Sequence, residues 1–155
     1  FRRLVPGYEA PVKCFFSSVN RSAAIRVPKY AREPEKVRFE FLPPDATCNP
    51  YLAQAAMLMA GIDGIQRKVD PTKAGFGPID EDIFSWPAEK RASIGGLPTS
   101  LGAALNALEA DHQFLTAGGV FEQNMIIDWI KAKRNEEMQV QTHPHPFEIQ
   151  MYYDL

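Results

Sequence analysis

The chain has 155 residues, the size of one ordinary domain of about 100–200 residues, and its 45% hydrophobic and 23% charged content excludes wholesale disorder. No apolar stretch is long and unbroken enough to span a membrane as a helix. The net charge of −2 conceals an asymmetry, because residues 1–45 hold nine Lys/Arg against five Asp/Glu and residues 46–155 hold eight against fourteen; a basic first third in an acidic whole excludes a general nucleic-acid binder and fits a local pocket for a small anion.

In chain order, Phe1-Arg2-Arg3 is not followed by the apolar region of a signal peptide, and none is expected. Arg2-Arg3-Leu4-Val5-Pro6 reads as mid-protein sequence, so a fragment of a longer protein is expected. Residues 12–17 and 23–27 are short apolar runs that predict strands, the second closed by Pro28. Residues 36–42 alternate, which predicts a strand with Val37, Phe39 and Phe41 on one face and Arg38, Glu40 and Leu42 on the other, ended by Pro43-Pro44.

From Asn49 the signals turn helical. Asn49 is a good N-cap and Pro50 suits the first helical position. Tyr51, Ala55, Leu58, Ile62 and Ile65 form a stripe with Leu52, Ala56 and Met59 beside it, which predicts a central buried helix. Residues 69–98, rich in Gly and Pro, read as a long surface excursion. Ser100 caps a helix through Leu108, and a shorter helical piece at 111–117 ends at Gly118-Gly119. Residues 122–137 predict an amphipathic helix with Ile126, Trp129 and Ile130 inward and Lys131, Lys133 and Arg134 outward, and residues 147–155 one last short helix. Strands first and helices after give an α+β fold, with antiparallel β-strands in the first third followed by packed helices. There is no internal repeat.

Cys14 and Cys48 are too few for a disulfide framework and lack CxxC spacing; buried thiols in a reducing compartment are expected. His143 and His145 lack the partners of a metal site, and a rigid entry into the last helix is the expected role. His112 reads as a helix-surface residue. Three charged features in the first third each leave two readings open. Pro6-Gly7-Tyr8-Glu9-Ala10-Pro11 is either a solvated surface turn or a stiff loop holding Glu9 over a cleft. Arg3, Arg21, Arg26 and Arg38 are either separate surface arginines or an anion site, since guanidinium groups bind carboxylates and phosphates bidentately. Arg38 and Glu40 on one strand face are either an ion pair or a phosphate-binding arginine beside a carboxylate ligand for Mg²⁺ or Mn²⁺.

Several strings are specific. Arg3-Leu4-Val5-Pro6-Gly7-Tyr8-Glu9-Ala10-Pro11, Asn20-Arg21-Ser22-Ala23, Asn49-Pro50-Tyr51-Leu52-Ala53 and Ala56-Met57-Leu58-Met59-Ala60-Gly61-Ile62-Asp63-Gly64-Ile65 resemble bacterial type I glutamine synthetase. So do Ala107-Leu108-Glu109-Ala110-Asp111, Ala117-Gly118-Gly119-Val120-Phe121 and His145-Pro146-Phe147-Glu148, with Tyr152-Tyr153 near the end. The resemblance covers essentially the whole chain but only the C-terminal third or so of a family member. Residues 1–155 are therefore expected to be the C-terminal portion of the catalytic domain, with the N-terminal β-grasp domain and the upstream catalytic half absent.

The resemblance implies an ATP- and Mg²⁺- or Mn²⁺-dependent ligase that joins ammonia to the γ-carboxylate of glutamate through γ-glutamyl phosphate. By position, Arg3 resembles the glutamate-carboxylate binder, and Glu9 the acid that closes the site and helps deprotonate ammonium. Arg21 resembles the residue that contacts both substrate and the transferring phosphoryl group. Arg26 and Arg38 resemble nucleotide-phosphate contacts, and Glu40 a metal ligand. The family also implies a cytoplasmic homo-oligomer of two stacked hexameric rings, with residues 145–155 as an arm toward the opposite ring and no nucleic-acid or membrane partner. Alone, the fragment is expected to be inactive and to expose apolar surface.

Two departures stand out. The family carries a substrate arginine two residues beyond the metal-binding Glu, where this chain has Leu42. That points to an intact synthetase tolerating Leu42, to a glutamate–amine ligase acting on polyamines, or to a non-catalytic homologue. Asp82-Ile83-Phe84-Ser85-Trp86-Pro87 occupies the stretch in which many members carry an adenylylated tyrosine, and Phe84 offers no hydroxyl. The protein is expected to be refractory to adenylylation there; intact-mass analysis after treatment with an adenylyltransferase should show no gain, and a gain on this segment would refute the expectation.

Overall fold

The computed structural model describes residues 3–6, 8 and 10–154. The chain forms two compact units, residues 1–99 and 100–155. No helix among the described residues is long and apolar enough to cross a membrane.

The first unit is built on a three-stranded sheet in the order β1 (Lys13–Ser17), β2 (Ala23–Arg26), β3 (Glu40–Phe41). The α+β order is as expected, but the sheet is mixed. β2 and β3 are antiparallel, whereas β1 and β2 run parallel, with Lys13 against Ala23 and Ser17 against Arg26. The cause lies in residues 18–22. Ser17 Oγ accepts from the amides of Val19 and Asn20 at 3.2 and 2.9 Å, and Asn20 Oδ1 accepts from the amide and hydroxyl of Ser22 at 2.9 and 2.7 Å. These bonds curl the connection into a tight loop in place of a two-residue hairpin turn. The strand expected over 36–42 shrinks to two residues because Pro34 starts a 3₁₀ turn over Pro34–Lys36 and Pro28 has no N–H with which to extend the ladder beyond Arg26.

The segment 69–98 runs largely over the surface, as expected, but two stretches of it are tied to the sheet and the core. Its backbone satisfies the other edge of β1: Phe16 N donates to Phe76 O at 2.8 Å, Ile79 N to Phe16 O at 3.0 Å, Cys14 N to Gly95 O at 2.8 Å and Leu97 N to Val12 O at 3.0 Å. Ile83, in a 3₁₀ turn at Ile83–Ser85, and Ile94, just after α2 (Ala88–Ala92), join Phe15 and Ala23 in the core, with Ile79, Phe84 and Trp86 packed around them. Gly77 permits the close approach, since it has φ +127° and an added Cβ would stand 2.5 Å from Phe16 O.

α1 (Pro50–Gln66) begins as expected, with Asn49 Oδ1 accepting from the amides of Tyr51 and Leu52. It is not buried all round. Met59 faces the unit, with Leu52 and Ala56 half-buried, while Tyr51, Leu58 and Ile65 are 82%, 65% and 78% exposed. The apolar stripe lacks a covering surface within the described residues, so its composition exceeds what this unit can bury. Cys14 is half-buried, and burial raises its thiol pKa; Cys48, expected buried, is exposed in the turn before α1.

The second unit is helical: α3 (Leu101–Ala110), α4 (Gln113–Thr116), α5 (Gln123–Thr142) and α6 (Pro146–Tyr152). Ser100 Oγ caps α3 through the Ala103 amide at 3.0 Å. α3 packs on α5, and Leu105, Leu115, Phe121, Ile126 and Ile130 are buried. Trp129, expected inward, is 41% exposed. Arg134, expected outward, turns to α3 instead, donating to Asn106 Oδ1, to Glu109 Oε2 at 3.0 Å and to Gly102 O at 3.4 Å. An arginine stem covers apolar surface while its head finds carboxylates, so a helical wheel misplaces it readily. His145 caps α6: its Nδ1 accepts from the Phe147 amide at 3.1 Å while Glu148 Oε2 accepts from the His145 amide at 2.9 Å, the rigid entry expected. His112 is half-buried ahead of α4, with Nδ1 2.8 Å from Leu108 O.

The core position of residue 83 is directly testable. Ile83→Ala should lower unfolding free energy by about 2–5 kcal/mol, the usual range for emptying a fully buried isoleucine site. A shift of the urea midpoint checks this, and an unchanged midpoint would mean that residue 83 is not in the core.

Candidate anion-binding site

The antiparallel register sets Arg26 on β2 directly opposite Glu40 on β3. Arg26 Nε and Nη2 both donate to Glu40 Oε2, at 2.8 and 2.5 Å. The second carboxylate oxygen, Oε1, accepts from Arg38 Nη2 at 3.3 Å, and the same nitrogen donates to Tyr30 Oη at 2.8 Å. The Arg38 guanidinium lies over the Tyr30 ring, 5.4 Å from its centre. Arg38 and Glu40 therefore do share a face, as the alternation implied, although Arg38 precedes the two-residue strand. The hydrogen bonds from Arg26 are the main cause that holds the Glu40 carboxyl below the ordinary glutamate range, with the charges of Arg26 and Arg38 adding to them.

Beside this pair lies a cleft of about 240 Å³ lined by Arg3, Ala10, Pro11, Arg21, Arg26 and Leu42. Three of the four arginines singled out in the sequence thus meet at one place, while Arg38 reaches it only through Glu40. Arg3 stands at the rim. Its Nη2 donates to the carbonyls of Leu42, Pro43 and Pro44 at 2.8, 3.1 and 3.2 Å. Two successive prolines offer no N–H to a ladder but keep their carbonyls, and one guanidinium nitrogen gathers them. Leu42 presents an apolar side chain to the same space, its own amide donating to Ala24 O at 2.9 Å. Glu9 lies outside the described residues.

Arg21 sits on the loop between β1 and β2. Ser17 is fully buried and its hydroxyl donates to Asp80 Oδ1 at 2.8 Å, the oxygen that also accepts from the Ser18 amide at 2.7 Å. Asp80 Oδ2 accepts from Lys29 Nζ at 2.8 Å, and Asn20 Nδ2 donates to Glu81 O at 3.1 Å. Sequence reasoning missed Asp80 entirely. The serine-rich loop is a local turn signal, but nothing local announces its distant acceptor.

Of the three cleft arginines, only Arg26 is paired with a carboxylate among the described residues, which leaves an excess of positive charge in a half-enclosed space. Such a site binds carboxylate and phosphate oxygens through charge-assisted hydrogen bonds. A divalent cation is a different matter. Among the described residues no group of three or more His, Cys, Asp or Glu is arranged to hold one, and both oxygens of Glu40 are engaged by arginines. Glu40 can supply one ligand; the residues described do not make a metal centre by themselves.

The family described as "Glutamine synthetase, catalytic domain" matches residues 1–152. Glutamine synthetase of Mycolicibacterium smegmatis is 49% identical over the whole of this chain and 32% of its own length. That of Aquifex aeolicus is 50% identical over the same shares. In structure, Plasmodium falciparum glutamine synthetase superposes with a TM-score of 0.78 at 30% identity, covering 97% of this chain and 36% of the other. The chain belongs to the glutamine synthetase family, and it spans about a third of the length of these relatives.

The cross-strand pair carries a pH dependence of definite sign. Because the folded-state pKa of Glu40 lies below its unfolded value, the ionised carboxylate favours the folded state above about pH 4.3. That contribution fades as pH falls through the folded pKa. In a carboxyl-detected NMR titration the Glu40 midpoint should lie below the ordinary value and should rise toward it in Arg26→Ala. An unmoved midpoint would mean that the pair does not form.

Proposed function

We propose that this chain is the C-terminal portion of the catalytic domain of a glutamine synthetase. In the full-length protein it helps join ammonia to the γ-carboxylate of glutamate at the expense of ATP, through γ-glutamyl phosphate. The observation that carries the reading is the convergence of Arg3, Arg21 and Arg26 on one cleft, in a chain about half identical to proteins named glutamine synthetase.

The chemistry asks for this arrangement. Two anions, a carboxylate and a triphosphate, must be brought together, and phosphoryl transfer is governed by positioning and charge neutralisation more than by covalent help. Arg3, fixed at the rim by three main-chain carbonyls, orients the glutamate carboxylate with its remaining donors. Arg21 meets the transferring phosphoryl group, where negative charge develops on the equatorial oxygens. Arg26 and Arg38 take nucleotide phosphates, and Glu40 between them fixes both guanidinium planes. Glu9 closes the site and takes the proton from ammonium, so that the free amine attacks the acyl carbon and phosphate departs. Mg²⁺ or Mn²⁺, when bound with Glu40 as one ligand among others supplied from outside these residues, neutralises phosphate charge.

Leu42 is the point of tension. An apolar wall replaces a guanidinium and forgoes charge-assisted hydrogen bonds of about 1.5–3 kcal/mol. The relatives of highest identity reported above are named glutamine synthetase, which favours ammonia over an organic amine. We further propose the family's assembly of two stacked hexameric rings in the cytoplasm, with residues 145–155 as the inter-ring arm. In support, Phe147, Ile149, Met151 and Tyr152 are all more than half exposed on α6.

The experiment is ATP-dependent phosphate release by the full-length protein with glutamate and Mg²⁺. Ammonia should support release, and Leu42→Arg should lower the KM for glutamate by roughly tenfold, the factor that about 1.4 kcal/mol represents. Release only with polyamines would move the specificity to an amine ligase. Silence with every amine would overturn the enzymatic reading.

A further inference from the structure

We propose that Asp80 is a positioning residue for Arg21, acting through the Ser17 hydroxyl and the Ser18 amide on the loop that presents the guanidinium to the cleft. The inference rests on the reading of Arg21 given above and adds to it a residue from a segment with no part in the cleft wall.

The hydrogen-bond directions admit one arrangement. The amides of Val19 and Asn20 can only donate, so both take lone pairs of Ser17 Oγ, at 3.2 and 2.9 Å. The single hydroxyl proton must then go to an acceptor, and Asp80 Oδ1 stands 2.8 Å away. That oxygen also receives the Ser18 amide at 2.7 Å. Asp80 thus fixes the start of the loop twice, once through a side chain that is fully buried. On the far side, Asn20 bridges Glu81 O and the backbone and hydroxyl of Ser22. Arg21 is bracketed on both flanks by groups tied to Asp80 and its neighbour.

The Arg21 side chain is exposed, so its position depends on where its loop holds the backbone. The arrangement requires an acceptor at Asp80 Oδ1, and the carboxylate supplies it. Hydrogen bonds from Lys29, first, and then from the Ser18 amide and Ser17 keep its carboxyl far below the ordinary aspartate range. A guanidinium that stabilises a transition state must be in place before the reaction, and a misplacement of about 1 Å can cost up to 10²-fold in rate. Asp80 does not itself line the cleft, so its effect on rate passes through Arg21.

The test uses steady-state phosphate release by the full-length protein with glutamate and ammonia. Asp80→Ala removes both acceptor oxygens and should lower kcat roughly tenfold, with the KM values for ATP and glutamate within about twofold. Asp80→Asn retains a carbonyl at Oδ1 for Ser17 and Ser18 and should stay within about threefold of the parent kcat. Ser17→Ala, a minimal change in a buried site, should reproduce the loss and serves if Asp80→Ala does not fold. In an Arg21→Lys background Asp80→Ala, or Ser17→Ala, should add no further loss. Losses that multiply in the double variant would overturn the proposal, as would an unchanged kcat in Ser17→Ala. If Arg21→Lys alone leaves the rate untouched, both the role of Arg21 and this inference fall; if Arg21→Lys is impaired while Ser17→Ala is not, only the role of Asp80 falls.

Discussion

The first unit depends on one constraint: every backbone hydrogen bond of β1 has to be satisfied in a buried strand. An unpaired amide or carbonyl there costs about 1–3 kcal/mol. β2 supplies partners on one edge, and residues 76–79 and 95–97 supply them on the other. That double pairing draws the Gly- and Pro-containing segment onto the sheet, seats Ile83 and Ile94 against Phe15, and requires glycine at position 77. It also delivers Asp80 to the loop that carries Arg21. The position of a charged side chain at the cleft is thus a consequence of where the backbone of a hydrophobic strand finds its partners.

The charge asymmetry of the sequence acquires a location in the same way. The basic first third does not spread its arginines over the surface. Arg3, Arg21 and Arg26 surround one space, and Glu40 compensates Arg26 while leaving the whole positive. The guanidinium groups of Arg3 and Arg26 are held, by main-chain carbonyls and by a cross-strand carboxylate, whereas Arg21 is held at its backbone by a side-chain-braced loop. For Arg3 and Arg26, little reorganisation remains to be done when an anion enters.

Local signals in the sequence were dependable. Asn49-Pro50, Ser100, the Gly118-Gly119 stop with φ values of 67° and 72°, and the His145 cap all sit where their chemistry requires. Non-local consequences were not legible. A Gly/Pro-rich stretch looks like a surface loop whether or not its carbonyls serve a strand, so the core roles of Ile83 and Ile94 were hidden, and so was Asp80. The parallel pairing of β1 with β2 depends on hydroxyl and amide bonds within a short loop, which a hydrophobic pattern does not encode. The stripe of Tyr51, Leu58 and Ile65 reads as core from sequence and stays exposed among the described residues. Of the site, the residue types and their strand face were readable; which arginines share the cleft was not, and Glu9 lies outside the described residues.

The central claim is that these arginines serve a reaction in which the γ-carboxylate of glutamate attacks the terminal phosphate of ATP. Glutamate labelled with ¹⁸O in the γ-carboxylate, supplied to the full-length protein with ATP and ammonia, tests it most directly. If γ-glutamyl phosphate forms and ammonia attacks its carbonyl carbon, the bridging oxygen leaves with the phosphate, and each phosphate released carries one ¹⁸O. Phosphate released without label, at a rate matching ATP consumption, would contradict the account.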